Sequence, residues 1–334
     1  MKQSVQRAHG VRIAGTGMAV PPRIVTNDEL ARKIDTSDEW INQRTGIRQR
    51  HIADESISLF DLASQALHQA VDRSAIDPSQ IDLVICATLT PDMCCPSTAA
   101  KLADDIGATP AGALDISAAC AGFVYAMNLM ASQIETGRCR NVAVIGAELI
   151  SRITDWNDRR TCILFGDGAG AAIFSATDDP RQGCLHQTLA SDGSKWHLLY
   201  APKREADLPE NSNGFTGAYD TLQMSGREVY KFAVATIQAS IDQALAACDI
   251  SPSDLAMVVA HQSNRRILES ARDRLGLPES KFYINIDRYG NTSAASVPIC
   301  LHELSQQQRI GPGDLVLFVG IGGGFTWATS LWRL

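Results

Sequence analysis

The sequence predicts an α/β fold built from two similar halves, and three observations support this prediction. Short runs rich in Val, Ile and Leu alternate with longer amphipathic stretches, which indicates buried strands separated by helices. Landmarks of the first half recur in the second half at nearly the same spacing. Each half also closes with a glycine-rich segment that continues into a strand-like run, at 165–174 and 320–332. We therefore expect one α/β unit that has been duplicated.

The elements follow in chain order. A short apolar stretch at 11–20, interrupted by two glycines, predicts a first strand rather than a signal peptide, which favours a cytoplasmic protein. Ser37 is a candidate helix cap in front of Trp40. Apolar residues at helical spacing predict helices over 59–70 and 229–245. The continuous apolar runs typical of buried strands lie at 81–90, 113–117, 141–147, 255–261, 282–286 and 315–322.

The domain organisation follows from these elements. Residues 1–176 are predicted to form the first half, and 222–334 the second. The polar stretch 177–221, rich in turn residues, is the predicted connecting region. The glycine-rich segments do not match a dinucleotide-binding fingerprint, because they run into strands instead of opening helices.

Composition excludes several classes of protein. The 334 residues carry a net charge of −7, whereas a nucleic-acid binder is usually basic, so no nucleic-acid partner is expected. No apolar run approaches the roughly 18 residues of a membrane span. Nine cysteines lack the spacing of zinc ligands, so we expect reduced thiols and no metal.

Three polar residues are candidates for chemistry. Cys120 and Asn291 follow corresponding strands of the two halves, and His261 ends the strand run 255–261. Ligands bind outside the carboxyl ends of strands in such sheets, so the three side chains are expected in one pocket. A thiol at a helix N-terminus favours the thiolate, which can take an acyl group from a thioester. His261 and Asn291 could donate hydrogen bonds to an oxyanion.

Each candidate also has a structural reading. A buried cysteine is often a small apolar residue, a histidine at a strand end is often a satisfied structural group, and Asn before Thr-Ser is often a cap. Their matched positions in a duplicated unit favour catalysis.

At these residues the sequence resembles the β-ketoacyl-acyl carrier protein synthase III family. The matching motifs are DTSDEWINQRTGIRQRHI (35–52), DISAACAGF around Cys120, ILFGDGAGAA (163–172), AHQSNRRI around His261, YGNTSAASVP around Asn291 and GGGFTWA near the end. The resemblance covers essentially the whole chain. It implies a thiolase-like fold with a layered αβαβα architecture, a homodimer, and a catalytic set of Cys120, His261 and Asn291. The amides of Cys120 and Gly323 would form the oxyanion hole.

The resemblance also implies a reaction. An acyl-CoA primer acylates Cys120, and malonyl-acyl carrier protein then enters and loses carbon dioxide. The enolate attacks the acyl group and yields a β-ketoacyl-acyl carrier protein, which initiates fatty acid synthesis. No metal or cofactor is expected, because the coenzyme A thioester is itself the substrate. Two alternatives remain: a relative in secondary metabolism with another acyl donor or acceptor, and a non-catalytic acyl-binding partner in a heteromeric assembly.

Further sites are implied by the same resemblance. Trp40 and Arg159 match positions that enclose the adenine of coenzyme A. An acidic carrier protein would dock on a basic cluster, for which the alternative is a solvated surface; its members are Lys231, Arg265, Arg266, Arg272 and Arg274. Cys95 and Ile321 are predicted at the acyl pocket. Cys95 stands where short-chain enzymes often place a bulky aromatic ring across the dimer interface, so we expect a deeper pocket, unless a neighbour such as Met93 closes it.

Overall fold

The computed structural model describes residues 7–210, 212 and 215–334. Residues 1–6 of the predicted first half, and 211, 213 and 214 of the predicted connecting region, lie outside the described residues. The strands are β1 (Gly10–Ala19), β2 (Ile24–Thr26), β3 (Gln49–His51), β4 (Leu83–Ala87), β5 (Gly112–Ile116), β6 (Asn141–Leu149), β7 (Asp167–Thr177), β8 (Gly183–Ser191), β9 (Leu199–Tyr200), β10 (Gln223–Met224), β11 (Met257–Ala260), β12 (Leu315–Gly322) and β13 (Thr326–Arg333).

The helices alternate with these strands. They are α1 (Asn27–Ala31), α2 (Asp38–Thr45), α3 (Leu59–Ser74), α4 (Thr98–Asp105), α5 (Gly122–Glu135), α6 (Gly226–Cys248), α7 (Arg265–Arg274), α8 (Ile286–Tyr289) and α9 (Ser296–Gln306). Ser37 caps α2 by accepting a hydrogen bond from the amide of Trp40, as predicted. No helix in the described part of the chain is long and apolar enough to cross a membrane.

The two main sheets have the same strand order and the same strand directions. The first sheet runs β1-β7-β6-β4-β5, and the second runs β8-β13-β12-β11. In both sheets the first strand is antiparallel to the second and the second is antiparallel to the third, whereas the third and fourth strands are parallel. A parallel bridge between Val258 and Phe282 stands where β5 completes the first sheet. The matched sheets are what a duplicated unit predicts.

Five layers result from the way helices cover these sheets. A buried cluster between the sheets includes Phe123 and Met127 of α5, Val297 of α9, Val144 of the first sheet and Phe318 of the second. Helices α3 and α4 pack on the outer face of the first sheet, and α6 and α7 pack on the outer face of the second. The order helix–sheet–helix–sheet–helix is the predicted αβαβα architecture.

Most predicted elements are confirmed, and two are corrected. The connecting region 177–221 is not wholly loop, because β8 lies within it and pairs with β13. The strand predicted at 282–286 is wrong: only Phe282 forms a bridge, and α8 begins at Ile286. The backbone amide of Asn285 donates instead to the side chain of Gln262, which turns the chain away from the sheet. The predicted domain boundaries themselves stay a prediction.

Candidate active site

Two cavities meet at Cys120. The front cavity, of about 130 Å³, is lined by Cys120, His261, Asn291 and Ile321. The side cavity, of about 530 Å³, shares Cys120 with the front cavity and is otherwise lined mostly by different residues. The three predicted catalytic residues therefore lie around one space, although they come from different halves of the chain.

The thiol is held at the beginning of the central helix α5. A short 3₁₀ turn, Ala119–Ala121, leads directly into that helix. Ala119 has a positive φ of 48°, a conformation that costs a non-glycine residue about 1 kcal/mol or more. The end of β12 runs against this turn so closely that a Cβ on Gly322 would lie 2.6 Å from the amide nitrogen of Cys120. Packing against the second half thus fixes the position of the nucleophile.

His261 is buried and neutral. It follows β11, and its amide extends the ladder to β12 by donating to the carbonyl of Val319 at 2.7 Å. Its Nδ1 lies 2.7 Å from the hydroxyl of Ser296, the first residue of α9. Burial lowers the pKa of His261 to about 3. The imidazole is therefore suited to hydrogen bonding in the front cavity through Nε2, but not to holding a second proton near neutral pH.

Asn291 is anchored by the first half of the chain. Its amide donates to the carbonyl of Leu164 at 2.8 Å, and its carbonyl accepts from the amide of Gly166 at 3.1 Å. Its side-chain Oδ1 accepts from the amide of Ser293 at 2.9 Å. Because Oδ1 is engaged in this way, the Nδ2 group is the part of the side chain left to donate to a ligand.

Burial opposes ionisation of the Cys120 thiol. Burial raises its pKa to about 12, and hydrogen bonds with Ser293 and with its own amide oppose this effect without cancelling it. The predicted effect of the helix N-terminus, which favours the thiolate, stays a prediction, and burial acts against it. Attack by the thiol form on a thioester must include removal of the thiol proton.

Gly323 lines both cavities together with Cys120. It follows the end of β12, which Gly322 brings against the thiol-bearing turn. Both residues of the predicted oxyanion pair thus line the cavities at the thiol, and the role of their amides stays a prediction. Within the described residues no group of three or more His, Cys, Asp and Glu side chains could hold a metal ion.

The predicted acyl-pocket residues, Cys95 and Ile321, do not line the side cavity of this chain. The side cavity is lined by apolar side chains that include Leu89, Ile150 and Leu222. Ile321 lines the front cavity instead. Cys95 has an exposed thiol and is not part of the lining of either cavity. A contribution of Cys95 from a second subunit stays a prediction.

Trp40 and Arg159 are in direct contact. The guanidinium carbon of Arg159 lies 4.7 Å from the centre of the indole ring, and Arg44 lies 5.5 Å from the same centre. Arg159 also donates to the carbonyl of Asp35 at 2.7 Å. A purine could enter between Trp40 and Arg159 only if the guanidinium moved away from the indole by roughly the thickness of one ring.

A basic cleft continues from the front cavity, with which it shares Tyr230 and Asn264. Of the predicted docking residues, Lys231 and Arg266 line it, and Arg44 and Arg227 are added by the structure. Three of the predicted cations form ion pairs: Lys231 with Glu228, Arg265 with Glu269, and Arg272 with both Asp273 and Glu279. Arg266 and Arg274 have no ion pair within the described residues.

Sequence reasoning missed two polar residues at the site. Glu148 ends the apolar run of β6 with a fully buried carboxylate, and Ser293 lines the side cavity beside Cys120. A single acid near the carboxyl end of an otherwise apolar strand was the available signal, because ligands bind at that edge of a sheet.

The layered fold, with a thiol at the beginning of a buried helix and a histidine and an asparagine from the other half, defines a thiolase-like acyltransferase. The family model for 3-oxoacyl-[acyl-carrier-protein] synthase III matches residues 114–193, and its C-terminal model matches 245–334. The chain belongs to the β-ketoacyl-[acyl-carrier-protein] synthase III family.

Individual relatives agree along nearly the whole chain. The β-ketoacyl-[acyl-carrier-protein] synthase III of Caldanaerobacter subterraneus is 45% identical over 319 residues, which are 96% of this chain and 96% of the relative. The crystal structure of 3-oxoacyl-[acyl-carrier-protein] synthase III from Aquifex aeolicus has a TM-score of 0.90 at 40% identity, covering 97% and 100% of the two chains. The priming β-ketosynthase of the R1128 polyketide pathway has a TM-score of 0.90 at 33% identity, covering 100% and 99%.

Proposed function

We propose that this chain catalyses the decarboxylating condensation of an acyl-CoA primer with malonyl-acyl carrier protein, with Cys120 as nucleophile. The observation that carries the proposal is that two cavities meet at the thiol: a side cavity lined by Leu89, Ile150 and Leu222, and a front cavity to which His261 and Asn291 contribute. An acyl group on Cys120 could occupy the side cavity while a second thioester arrives through the front cavity. This two-sided arrangement suits a reaction that joins two acyl units.

In the first half-reaction, Cys120 attacks the carbonyl carbon of acyl-CoA. The amides of Cys120 and Gly323 would stabilise the tetrahedral oxyanion. Collapse of this intermediate expels the thiolate of coenzyme A and leaves the acyl group on sulfur. The substrate thioester supplies the activation, so no bound cofactor or metal is part of the proposal.

In the second half-reaction, the malonyl group loses carbon dioxide beside His261 and Asn291. The electrons of the broken C–C bond pass to an enolate, whose oxygen would accept hydrogen bonds from Nε2 of His261 and Nδ2 of Asn291. The enolate carbon attacks the acyl carbon on Cys120 and expels the thiolate. A neutral histidine suits this role, because it stabilises the enolate without transferring a proton to it.

Partners follow from the surfaces around the front cavity. The basic cleft at Lys231 and Arg266 would guide an acidic carrier protein, and Trp40 with Arg159 would hold the adenine of coenzyme A. A homodimer is supported by β5, an edge strand with one neighbour in the sheet, on which Leu114 is 40% exposed. We propose that this edge pairs with a second copy in the cytoplasm.

Stepwise mass spectrometry tests this function. Incubation with acyl-CoA should add one acyl group to Cys120 in the wild type and none in Cys120→Ser. Addition of malonyl-acyl carrier protein should then release carbon dioxide and return the unmodified protein. Binding of acyl-CoA without covalent transfer would favour a non-catalytic acyl-binding partner, and acyl transfer without carbon dioxide would favour a plain acyltransferase.

The R1128 priming ketosynthase supports a second candidate, in which the product enters secondary metabolism. Its fold match is as good as that of the Aquifex protein, although its identity is lower. A screen of acyl-CoA primers and of fatty-acid and polyketide carrier proteins separates the two functions. Preference for a fatty-acid carrier protein would support the first, and preference for a polyketide carrier protein would support the second.

The docking surface has its own test. Arg266→Glu places a negative charge in the cleft and should raise the KM for the carrier protein about tenfold, with little change in acylation by acyl-CoA. Arg274→Glu, at the other end of α7, is the matched control. The difference between them should shrink with added salt. Equal effects of both variants would instead place the docking surface along the whole helix.

A further inference from the structure

Glu148 is a fully buried carboxylate beside the nucleophile, and the reaction described above does not use it. It belongs to β6, whose residues are all buried. Its Oε2 accepts three hydrogen bonds: from the hydroxyl of Thr90 at 2.8 Å, from the amide of Leu89 at 3.0 Å and from the hydroxyl of Thr88 at 3.3 Å. Its Oε1 accepts one, from the hydroxyl of Ser293 at 3.0 Å.

No cation within the described residues pairs with Glu148. A buried acid without a positive partner is costly to ionise, and hydrogen bonds compensate only in part. Burial raises the pKa of Glu148 to about 7, against the effect of its four hydrogen bonds. The carboxyl group can therefore gain or lose a proton near neutral pH. Such a group in a protein core calls for an explanation in terms of function.

Ser293 lies beside both this carboxylate and the thiol. Its hydroxyl donates to Oε1 of Glu148 at 3.0 Å, and Ser293 and Cys120 line the side cavity together. The turn that carries Ser293 also packs against the turn that carries Cys120. Only Oε1 faces Ser293, since the other three donors occupy Oε2.

The other titratable groups around Glu148 do not titrate near neutral pH. Its charge acts on two thiols, Cys86 of β4 and Cys120, and burial raises both of their pKa values. On the front-cavity side, burial lowers the pKa of His261 to about 3. His261 is thus a weaker base than Glu148 for the thiol proton.

We propose that Glu148 is a positioning residue that takes the thiol proton of Cys120 through the hydroxyl of Ser293 during acylation, and returns it when the thiolate is expelled. The proposal rests on the proposed function, in which Cys120 alternates between thiol and thioester. It adds a base for the first half-reaction and an acid for the second.

The atoms and charges balance. During acylation the S–H bond of Cys120 breaks, Ser293 accepts that proton and passes its own to Oε1 of Glu148, and the sulfur bonds to the acyl carbon. The thiolate of coenzyme A leaves and takes a proton from water. During condensation the S–C bond of the acyl-enzyme breaks, and the protonated Glu148 returns a proton to the thiolate through Ser293. One proton is consumed per turnover, as a decarboxylating condensation requires.

The pH dependence of acylation has a definite sign. Glu148 can accept the thiol proton only when it is ionised, so acylation by acyl-CoA should become slower as the pH falls through about 7. Rapid-mixing acylation rates over roughly pH 5.5 to 9 should show this acidic limb in the wild type. Glu148→Gln should remove the limb and slow acylation about 100-fold on the alkaline plateau, the lower end of general-base contributions.

Two further variants keep the test independent of the stability of Glu148→Gln. Ser293→Ala removes the hydroxyl between the thiol and Glu148 but retains the carboxylate, and should slow acylation to the same extent. Alanine fits the backbone there, because Ala119 has a φ of 48° and Ser293 one of 51° in corresponding turns. Thr90→Val removes a donor from Oε2 and should move the limb to higher pH, because the ionised carboxylate loses support.

Infrared spectroscopy supplies a readout besides activity. A pH-difference spectrum of the wild type should show a protonated carboxyl band with a midpoint near 7, and Glu148→Gln should lack this band. An unchanged acidic limb in both Glu148→Gln and Ser293→Ala would overturn the proposal while leaving the proposed function intact. Failure of the wild type to be acylated on Cys120 would overturn the proposed function itself.

Discussion

The turn before α5 and the turn before α9 are built alike but carry different chemistry. α9 begins 174 residues after α5, and the 3₁₀ turns in front of them, Ala119–Ala121 and Ser293–Ala295, have the same offset. Their first residues have nearly equal positive φ values, 48° and 51°. At this offset Cys120 corresponds to Ala294, so Cys120 and Asn291 share a type of turn but not a position within it.

The difference shows how a duplicated fold divides one reaction. The first turn carries the group that forms bonds. The second carries groups that form hydrogen bonds: Asn291 points to the front cavity, Ser293 contacts Glu148, and Ser296 contacts His261. Where the first turn has its thiol, the second has a buried alanine. Duplication supplied two helix N-termini at one place, and only one of them holds a nucleophile.

Removing the nucleophile should have the largest effect. Cys120→Ser should lower acylation by about 10⁴-fold or more, because a hydroxyl is a far weaker nucleophile at this position. Intact-protein mass spectrometry after incubation with acyl-CoA measures the loss. The variant should keep its fold, since the two side chains are similar in size.

The reciprocal variant tests whether the two turns are interchangeable. Cys120→Ser combined with Ala294→Cys moves the thiol to the corresponding position, where the alanine is only 1% exposed. We expect no recovery of acylation. An acyl adduct at position 294 would mean that either turn can serve, and that position within the turn is not decisive.

Variants of the second half should affect the two half-reactions unequally. His261→Ala and Asn291→Ala should each slow decarboxylation of malonyl-acyl carrier protein about 10²–10³-fold, the usual cost of losing an oxyanion donor. Acylation of Cys120 should slow less, because it uses backbone amides. Single-turnover assays of each half-reaction measure the split. Full decarboxylation in Asn291→Ala would remove this residue from the enolate site.

The sequence predicted individual strands and individual site residues well, but it did not predict the contacts between residues that are distant in the sequence. Continuous apolar runs identify β4, β6 and β12 because local residues decide their burial. β8 was missed because exposed residues alternate along most of its length, which resembles a polar linker. The contact between Glu148 and Ser293 joins residues 145 positions apart, on different halves. Nothing local to either residue specifies that contact.

The thiolate of Cys120 stays a prediction for a related reason. The sequence places the residue at a helix N-terminus, which lowers a thiol pKa, but it does not show how far burial between the two halves raises that pKa. Trp40 and Arg159 were predicted from resemblance, and the structure brings them within 4.7 Å.

Stability should respond to pH in opposite directions at the two halves of the site. The pKa of Glu148 is raised from 4.5 to about 7, so the folded protein holds a proton that the unfolded chain has lost. Stability therefore falls as pH rises from 4.5 to 7. The pKa of His261 is lowered from 6.5 to about 3. The stability that neutral His261 contributes to the folded protein is therefore lost as pH falls below 6.5.

Chemical unfolding of Glu148→Gln measures the first of these contributions. Relative to wild type, the free energy of unfolding of the variant should increase by about 3 kcal/mol between pH 4.5 and pH 7, from the size of the pKa shift. His261→Gln is the control. Relative to wild type, its free energy of unfolding should increase as pH falls below 6.5. A pH-independent difference between wild type and Glu148→Gln would show that Glu148 does not titrate in this range.

The smallest expected effect concerns the primer, and it compares the two cavities. Leu222→Phe fills part of the side cavity and should shift preference towards shorter acyl chains. Each methylene lost from burial costs up to about 0.8 kcal/mol, roughly fourfold in kcat/KM. Ile321→Phe fills the front cavity and should raise KM for both thioester substrates without moving the chain-length profile. An acyl-CoA series measured for both variants gives the comparison.

Cys95→Phe completes this comparison across the proposed dimer. The thiol is exposed and outside both cavities of its own chain, so it can reach a side cavity only in a partner subunit. If it does, the phenyl ring should shorten the preferred primer as Leu222→Phe does, and the two substitutions together should give less than the sum of their effects, because both occupy one space.

Met93, also exposed, offers the control substitution Met93→Phe. If Met93→Phe moves the profile and Cys95→Phe does not, the neighbour closes the cavity. If neither variant changes the chain-length preference, the side chains of a single subunit determine the depth of the cavity.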